Sequence, residues 1–208
     1  MEQNWIYALL AITISHAALA QQPGDPDSTF ASDGIVTTDF APTGNDFGEA
    51  VAIQPDGKIV VAGTSFNGST YVFALARYST NGDLDPTFGS GGRVTTAIGN
   101  MDDRATAVAI QPDGKIVAAG SSFTNGTGYG FALVRYNPDG SLDNTFSGDG
   151  IQHDDISAGS DEAYSIALQP DGKIVLAGYA NNGSSNDDFA LLRYNPDGTL
   201  DNTFSGDN

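Results

Sequence analysis

Gln54-Pro55-Asp56-Gly57-Lys58-Ile59-Val60 returns unchanged at Gln111 to Val117 and at Gln169 to Val175, at spacings of 57 and then 58 residues. A second landmark, Asp-x-Thr-Phe, keeps a stricter frame: Phe30, Phe88, Phe146 and Phe204 are each 58 residues apart, as are Arg77, Arg135 and Arg193 of an Arg-Tyr pair. A fixed period of this kind marks one supersecondary unit repeated along the chain. Length changes between the landmarks fall in two loops and spare the strands.

Turn chemistry defines the unit. In Gln-Pro-Asp-Gly, Pro presets φ near about −65° for a type I turn and Gly supplies the positive φ the chain needs next. The flanks, Ala50 to Ile53 and Lys58 to Gly63, alternate and are rich in Val, Ile and Ala, which predicts a hairpin of two short strands. A third strand, Phe73 to Tyr78, recurs from Phe131 and from Phe189. It runs into a second turn, Asn137-Pro138-Asp139-Gly140 and Asn195-Pro196-Asp197-Gly198, which is Ser79-Thr80-Asn81-Gly82 in the first unit. Val36-Thr37-Thr38, Val94-Thr95-Thr96 and Ile151-Gln152 supply a fourth. Four short strands per unit, without helical periodicity after residue 20, predict an all-β propeller blade. A solenoid coil repeats at a shorter period, about 20–30 residues. The expected fold is therefore a β-propeller-like array of three four-stranded antiparallel blades over residues 21–208, incomplete or open. The Ala and Gly content of the first two strands suits a crowded centre.

Taken in order, Gln-Pro-Asp-Gly-Lys-Ile-Val-x-Ala-Gly and Phe-Ala-Leu-x-Arg-Tyr-Asn-Pro-Asp-Gly-x-Leu-Asp-x-Thr-Phe resemble the delta-60 repeat of bacterial exported proteins, over residues 25–208. The resemblance implies a β-propeller repeat found in tandem in large secreted or surface proteins, and implies no activity for the repeat itself. The chain departs from that pattern at Ser79-Thr80, where Asn-Pro is expected, and at Gly148 to Gln152, where Val-Thr-Thr is expected.

Ahead of the repeats, Ile6 to Ile14 is mostly apolar, and Ala18-Leu19-Ala20 gives the small-x-small pattern of a cleavage site before Gln21. Residues 1–20 read as an export signal, too short to remain as a membrane span, so the expected location is secreted, periplasmic or cell-surface. With no cysteine, disulfides, thiol catalysis and thiolate metal sites are excluded. The net charge is −18, or −17 once Glu2 leaves with the signal, which opposes binding to nucleic acid or anionic membranes. Six of the eight bases belong to the repeat, as Lys58, Lys115, Lys173 and the three arginines of the Arg-Tyr pairs, so there is no basic patch.

Chemistry has to be sought among the acids. Asp56, Asp113, Asp171, Asp139 and Asp197 sit in turns, where Asp bonds its own backbone. Asn-x-Asp-Gly-x-x-Asp at Asn137 to Asp143 and Asn195 to Asp201 makes Asp139, Asp143, Asp197 and Asp201 calcium candidates, although the distal bidentate Glu of a calcium loop is missing. Arg77, Arg135 and Arg193 are expected to pair with Asp85, Asp143 and Asp201 or with backbone carbonyls in a fold-fixing role. In an up-and-down blade both Pro-Asp-Gly turns fall on one face. The other face then carries Asp46, Asp103 and Asp161, each eight residues before a Gln-Pro, and the loops around Asn67, Asn125 and Asn182. That face is either a structural cap or a ligand surface. The three Asn-Gly-Ser/Thr matches to a glycosylation sequon are equally turn signals.

Catalytic constellations are thin. His153 is the only imidazole outside the signal, which holds His16, and no nucleophile elbow, zinc-binding or phosphate-loop motif occurs. The acidic pairs Asp102-Asp103, Asp154-Asp155, Asp161-Glu162 and Asp187-Asp188 differ from unit to unit. The leading reading is a non-catalytic binding or scaffold module with a protein or glycan ligand and no cofactor. The alternatives are a secreted propeller enzyme, a hydrolase or lyase acting on carbohydrate, and a calcium-stabilised structural repeat. Three blades are too few for a ring, since propellers use about four to eight. Completion is expected either from self-association, two copies making six blades, or from further repeats in a longer reading frame.

Overall fold

The computed structural model describes residues 24–126, 128–157, 159–181 and 186–204, so the expected signal over 1–20 and Asn182 lie outside the described residues. The first blade is β1 (Asp46–Ile53), β2 (Ile59–Phe66), β3 (Tyr71–Tyr78) and β4 (Arg93–Thr96). The second is β5 (Asp103–Ile110), β6 (Ile116–Thr124), β7 (Gly128–Tyr136) and β8 (Ile151–Asp154). The third is β9 (Asp161–Leu168), β10 (Ile174–Asn181) and β11 (Asp187–Tyr194). Each is an antiparallel meander, two of four strands and one of three among the described residues, and the array is open.

The heptapeptide makes the expected hairpin. Gly57 N–H donates to the Gln54 carbonyl (2.9 Å) at φ +84°, and Asp56 Oδ1 accepts the Lys58 N–H (3.2 Å). Ser79 to Gly82 closes the same turn as Asn137 to Gly140, with the Gly82 N–H on the Ser79 carbonyl (3.1 Å), so losing Asn-Pro costs the first unit nothing in geometry. β8 forms despite lacking Val-Thr-Thr and pairs Ile151 with Val134 and Asp154 with Phe131, as Arg93 to Thr96 pair with β3.

Val36 to Thr38 does not form the expected strand. A strand needs a neighbour for its ladder, and among the described residues none pairs with this segment. The segment instead lies against blade 1, where the Thr38 and Tyr78 hydroxyls are hydrogen-bonded (2.6 Å). The same contact recurs between Tyr136 OH and Thr96 Oγ1 (2.8 Å), and between Tyr194 OH and Asp154 Oδ2 (2.9 Å). Position 38 therefore keeps the place of a fourth strand without a sheet to belong to.

The core consists of two layers between blades rather than one centre. Val60, Phe73, Leu75 and Phe88 of blade 1 pack against Ile116, Val134 and Tyr136 of blade 2. Val117, Phe131, Leu133 and Phe146 of blade 2 pack against Ile174, Leu192 and Tyr194 of blade 3. The period-2 alternation of β6 and β7 feeds both layers at once, which explains why their buried stretches read as almost continuously apolar. In the first strands a β-bulge reverses that alternation: Ala105 packs toward blade 1, while Ala107 packs toward blade 3.

Phe88 is fully buried under the Arg77 guanidinium, whose Cζ is 4.6 Å from the ring centroid. Truncating it to Ala is expected to cost roughly 3–5 kcal/mol in equilibrium denaturation. A variant that unfolds at the parent's midpoint would mean Phe88 is not part of the layer between blades.

Candidate ligand groove on the inner strands

The repeated charges are tied up in structure. Arg135 donates through Nε to Asp143 Oδ2 (2.7 Å), through Nη2 to Thr145 Oγ1 (3.3 Å), and through Nη1 to the Pro196 carbonyl of the next blade (2.6 Å). Its guanidinium lies over Phe146 at 4.5 Å. Arg77 makes the same set with Asp85, Thr87, the Pro138 carbonyl and Phe88. Lys58, Lys115 and Lys173 join at 3.2, 3.0 and 2.8 Å from Asp85, Asp143 and Asp201. The expected Arg-Asp pairing is thus present, with a bridge to the next blade added.

The calcium candidates do not converge. Asp143 and Asp201 each hold an arginine and a lysine, which repel a further cation. Asp139 and Asp197 turn their carboxylates onto Ser141 and Thr199 of their own turns. Among the described residues, no three acidic or imidazole groups meet in a metal-binding arrangement.

Of the expected ligand face, Asp103 and Asp161 are fully buried caps. Asp103 accepts the Ile98 and Gly99 N–H groups (2.8 and 3.1 Å), and Asp161 accepts those of Ile156 and Ser157 (2.9 and 3.0 Å). Asp46 does the same for Phe40 (3.0 Å). These carboxylates fix the connection entering each first strand. Asn67 accepts the Ser69 and Thr70 N–H groups within its own turn, while Asn125 is exposed in the corresponding loop of blade 2. His153, on β8, reaches the Ser122 carbonyl at 3.3 Å.

A groove runs where β1, β5 and β9 lie side by side. Its positions come from the bulges. In each first strand one residue is left out of the pairing with the second: Glu49, Thr106 and Tyr164. Opposite the bulge stands Gly63, Gly120 or Gly178, where a Cβ would fall 1.8 Å from the Phe47, Arg104 or Glu162 carbonyl oxygen. That close approach is the reason for the glycine in Ile-Val-x-Ala-Gly. One station earlier, the cross-strand pairs are Phe47 with Thr64, Arg104 with Ser121, and Glu162 with Tyr179.

Glu49, Thr64, Arg104, Thr106, Glu162 and Tyr164 line a cleft of about 330 Å³, and Phe47 and Tyr71 extend it. Thr106 Oγ1 donates to the Ala163 carbonyl (2.6 Å), tying blade 2 to blade 3 along the floor. Tyr164 OH donates to Glu162 Oε2 (3.0 Å), and its ring lies 5.9 Å from Tyr179. Burial first, then Glu162, pushes the Tyr164 hydroxyl above its usual range; Tyr179 is pushed up by the same two causes. Both phenols therefore stay protonated donors. Ser121 Oγ is buried without a hydrogen-bond partner among the described residues.

Fold and groove together define a β-propeller repeat protein whose central strands carry the variation. A family model described as "Domain of unknown function (DUF5122) beta-propeller" matches residues 54–88, 111–146 and 169–204, and the chain belongs to that family. Comparison with curated proteins gives no match. The matched spans begin at each Gln-Pro, so β1, β5 and β9, with Glu49, Arg104, Thr106, Glu162 and Tyr164, lie outside them. Reading the sequence for repeated residues passed over this set. Aligning the units on Ala-Gly and looking for the positions that change would have found it.

The aspartate network makes stability acid-sensitive. Burial pushes the Asp143 carboxyl up, but the Thr145 hydroxyl and amide, Lys115 and Arg135 outweigh it and hold it well below the usual carboxylate range; Asp85 is depressed in the same way. A carboxyl depressed in the folded state adds stability that is complete above its unfolded pKa of about 3.9 and is lost as pH falls toward the folded value. Relief of the −18 net charge opposes this loss, so the comparison should be with Asp143→Asn, which cannot titrate. The stability gap between parent and variant, followed by calorimetry, is expected to be constant from pH 7 to about 5 and to shrink below about 4. A gap independent of pH down to about 2 would contradict the network.

Proposed function

We propose that this chain is a non-catalytic binding module, exported to the cell surface or beyond, that holds an extended protein or glycan segment in the groove of its inner strands. One observation carries the reading: in a frame repeated almost residue for residue, the bulge positions are Glu, Thr and Tyr, and the stations before them are Phe, Arg and Glu. Side chains that hold blades together recur, whereas side chains that meet a ligand are free to differ. Aromatic and arginine side chains such as Phe47, Tyr71, Tyr164 and Arg104 are those that anchor partners in partly desolvated clefts. Arg104 also makes no ion pair among the described residues, unlike the repeat arginines. Export follows from residues 1–20 and agrees with the resemblance to tandem delta-60 proteins.

The carbohydrate-hydrolase reading draws on Glu49 and Glu162 sharing the cleft. Glu49 is exposed, which suits hydrogen bonding to a ligand better than general acid chemistry.

Screening on glycan and peptide arrays, followed by titration of the strongest hit, tests the proposal. Arg104→Ala and Tyr164→Ala are expected to weaken binding about tenfold or more, about 1.4 kcal/mol, with melting temperature nearly unchanged. Asp113→Asn, in an exposed turn at the far end of the same strand, should bind as the parent does. Equal binding by all three variants would sink the groove, and hydrolysis of an oligosaccharide abolished by Glu49→Gln would replace the binding module with an enzyme.

A further inference from the structure

Every side chain that lines the cleft between β1, β5 and β9 carries a hydrogen-bonding group, and the groups are of mixed kinds. Glu49 and Glu162 accept as carboxylates, Arg104 only donates, and the hydroxyls of Thr64, Thr106 and Tyr164 do both. Aromatic rings stand at the two ends. On blade 1, Phe47 is 49% exposed and lies 6.3 Å from Tyr71, which lies 5.3 Å from Phe66; on blade 3, Tyr164 is 54% exposed beside Tyr179. Arg104, exposed on blade 2, belongs to both halves of the cleft. Directly across from it on β6, and so on the same face of the sheet, Ser121 Oγ is buried and makes no hydrogen bond among the described residues.

We infer that the occupant of this groove is a neutral oligosaccharide chain several sugar rings long, an inference that rests on the binding-module reading above and narrows it to one class of ligand. A pyranose ring has an apolar C–H face and a rim of hydroxyls. The face stacks on an exposed aromatic ring, and each hydroxyl both donates and accepts, so one kind of group answers the carboxylates, the guanidinium and the serine alike.

A peptide serves this lining poorly. Its N–H and C=O groups recur at fixed spacing and match a straight strand edge. The first strands are instead bulged at Glu49, Thr106 and Tyr164, and the Ala163 carbonyl of β9 is already taken by Thr106. None of the residues lining the cleft is aliphatic, so it offers no apolar pocket for a side-chain anchor. Charge disfavours acidic glycans: Glu49 and Glu162 outnumber Arg104 in the cleft, and the whole chain carries −18. Length follows from the placement of the rings. Phe47 and Tyr164 belong to the first and third blades with Arg104 between them, so a single sugar reaches one ring and a chain reaches both.

Isothermal titration calorimetry on the whole chain tests this with neutral hexasaccharides of glucose, mannose and xylose, the matching disaccharides, oligogalacturonate as the acidic probe, and a mixed decapeptide library. At least one neutral hexasaccharide is expected to bind about tenfold or more tighter than its disaccharide, with a Kd that stays within about twofold between about 0.05 and 0.5 M salt. Phe47→Ala and Tyr164→Ala should each remove most of the gain from chain length while leaving the circular dichroism spectrum and melting temperature unchanged. Failure of every neutral hexasaccharide to bind overturns the sugar assignment; if decapeptides or oligogalacturonate then bind and lose affinity in Arg104→Ala and Tyr164→Ala, the groove survives as the binding site. A neutral hexasaccharide held equally well by the parent and by the Phe47, Arg104 and Tyr164 variants overturns the groove itself.

Discussion

The contact on which the array depends is the guanidinium that leaves the third strand of one blade and ends on the second turn of the next. Arg135 satisfies its donors with Asp143, Thr145 and the Pro196 carbonyl, and rests on Phe146. None of these is replaceable alone: a buried guanidinium with a missing partner leaves an uncompensated charge, which costs far more than the pair contributes. Lysine cannot substitute either, since the site uses a planar fork and a stacking face together. The contact therefore fixes the angle between successive blades as well as their attachment. It explains why Arg-Tyr and Asp-x-Thr-Phe hold the same 58-residue frame while the heptapeptide slips by one residue against them.

A stiff frame leaves the first strands free to vary. The bulge at Glu49, Thr106 and Tyr164 turns one side chain per blade into the groove and passes the next residue to the opposite layer. The glycine opposite each bulge is the cost, fixed by a carbonyl that leaves no room for a Cβ. Structure and variability are thus separated residue by residue: Ala105 and Ala107 are core, and Thr106 between them reaches the groove. Blade identity at the groove can change without touching the layers that hold the blades together.

Much of the architecture was legible in the sequence because repetition multiplied weak local signals. A single Pro-Asp-Gly is an ordinary turn, but three in register with alternating flanks define a blade. Two features were not legible for physical reasons. Val36-Thr37-Thr38 has the composition of a strand, yet strand formation depends on a neighbour that sequence does not reveal. Asp103 and Asp161 lie on the face that the sequence leaves open between structural cap and ligand surface, and only the hydrogen bonds to backbone amides, invisible in sequence, commit these two to capping. The groove was hidden for the opposite reason, since attention to what repeats passes over the positions that do not.

Hydrogen exchange by mass spectrometry along a urea series, on the parent and on Arg135→Met, tests the clamp most directly. Methionine keeps an unbranched stem over Phe146 while deleting the guanidinium, so it removes the bridge to Pro196 with little change in apolar packing. If that bridge couples the blades, peptides from Asp161 to Tyr194 in the variant lose protection at lower urea than peptides from Asp46 to Thr96, whereas in the parent all three blades open together. Simultaneous loss of protection in every blade of the variant, at the parent's midpoint, would contradict the account.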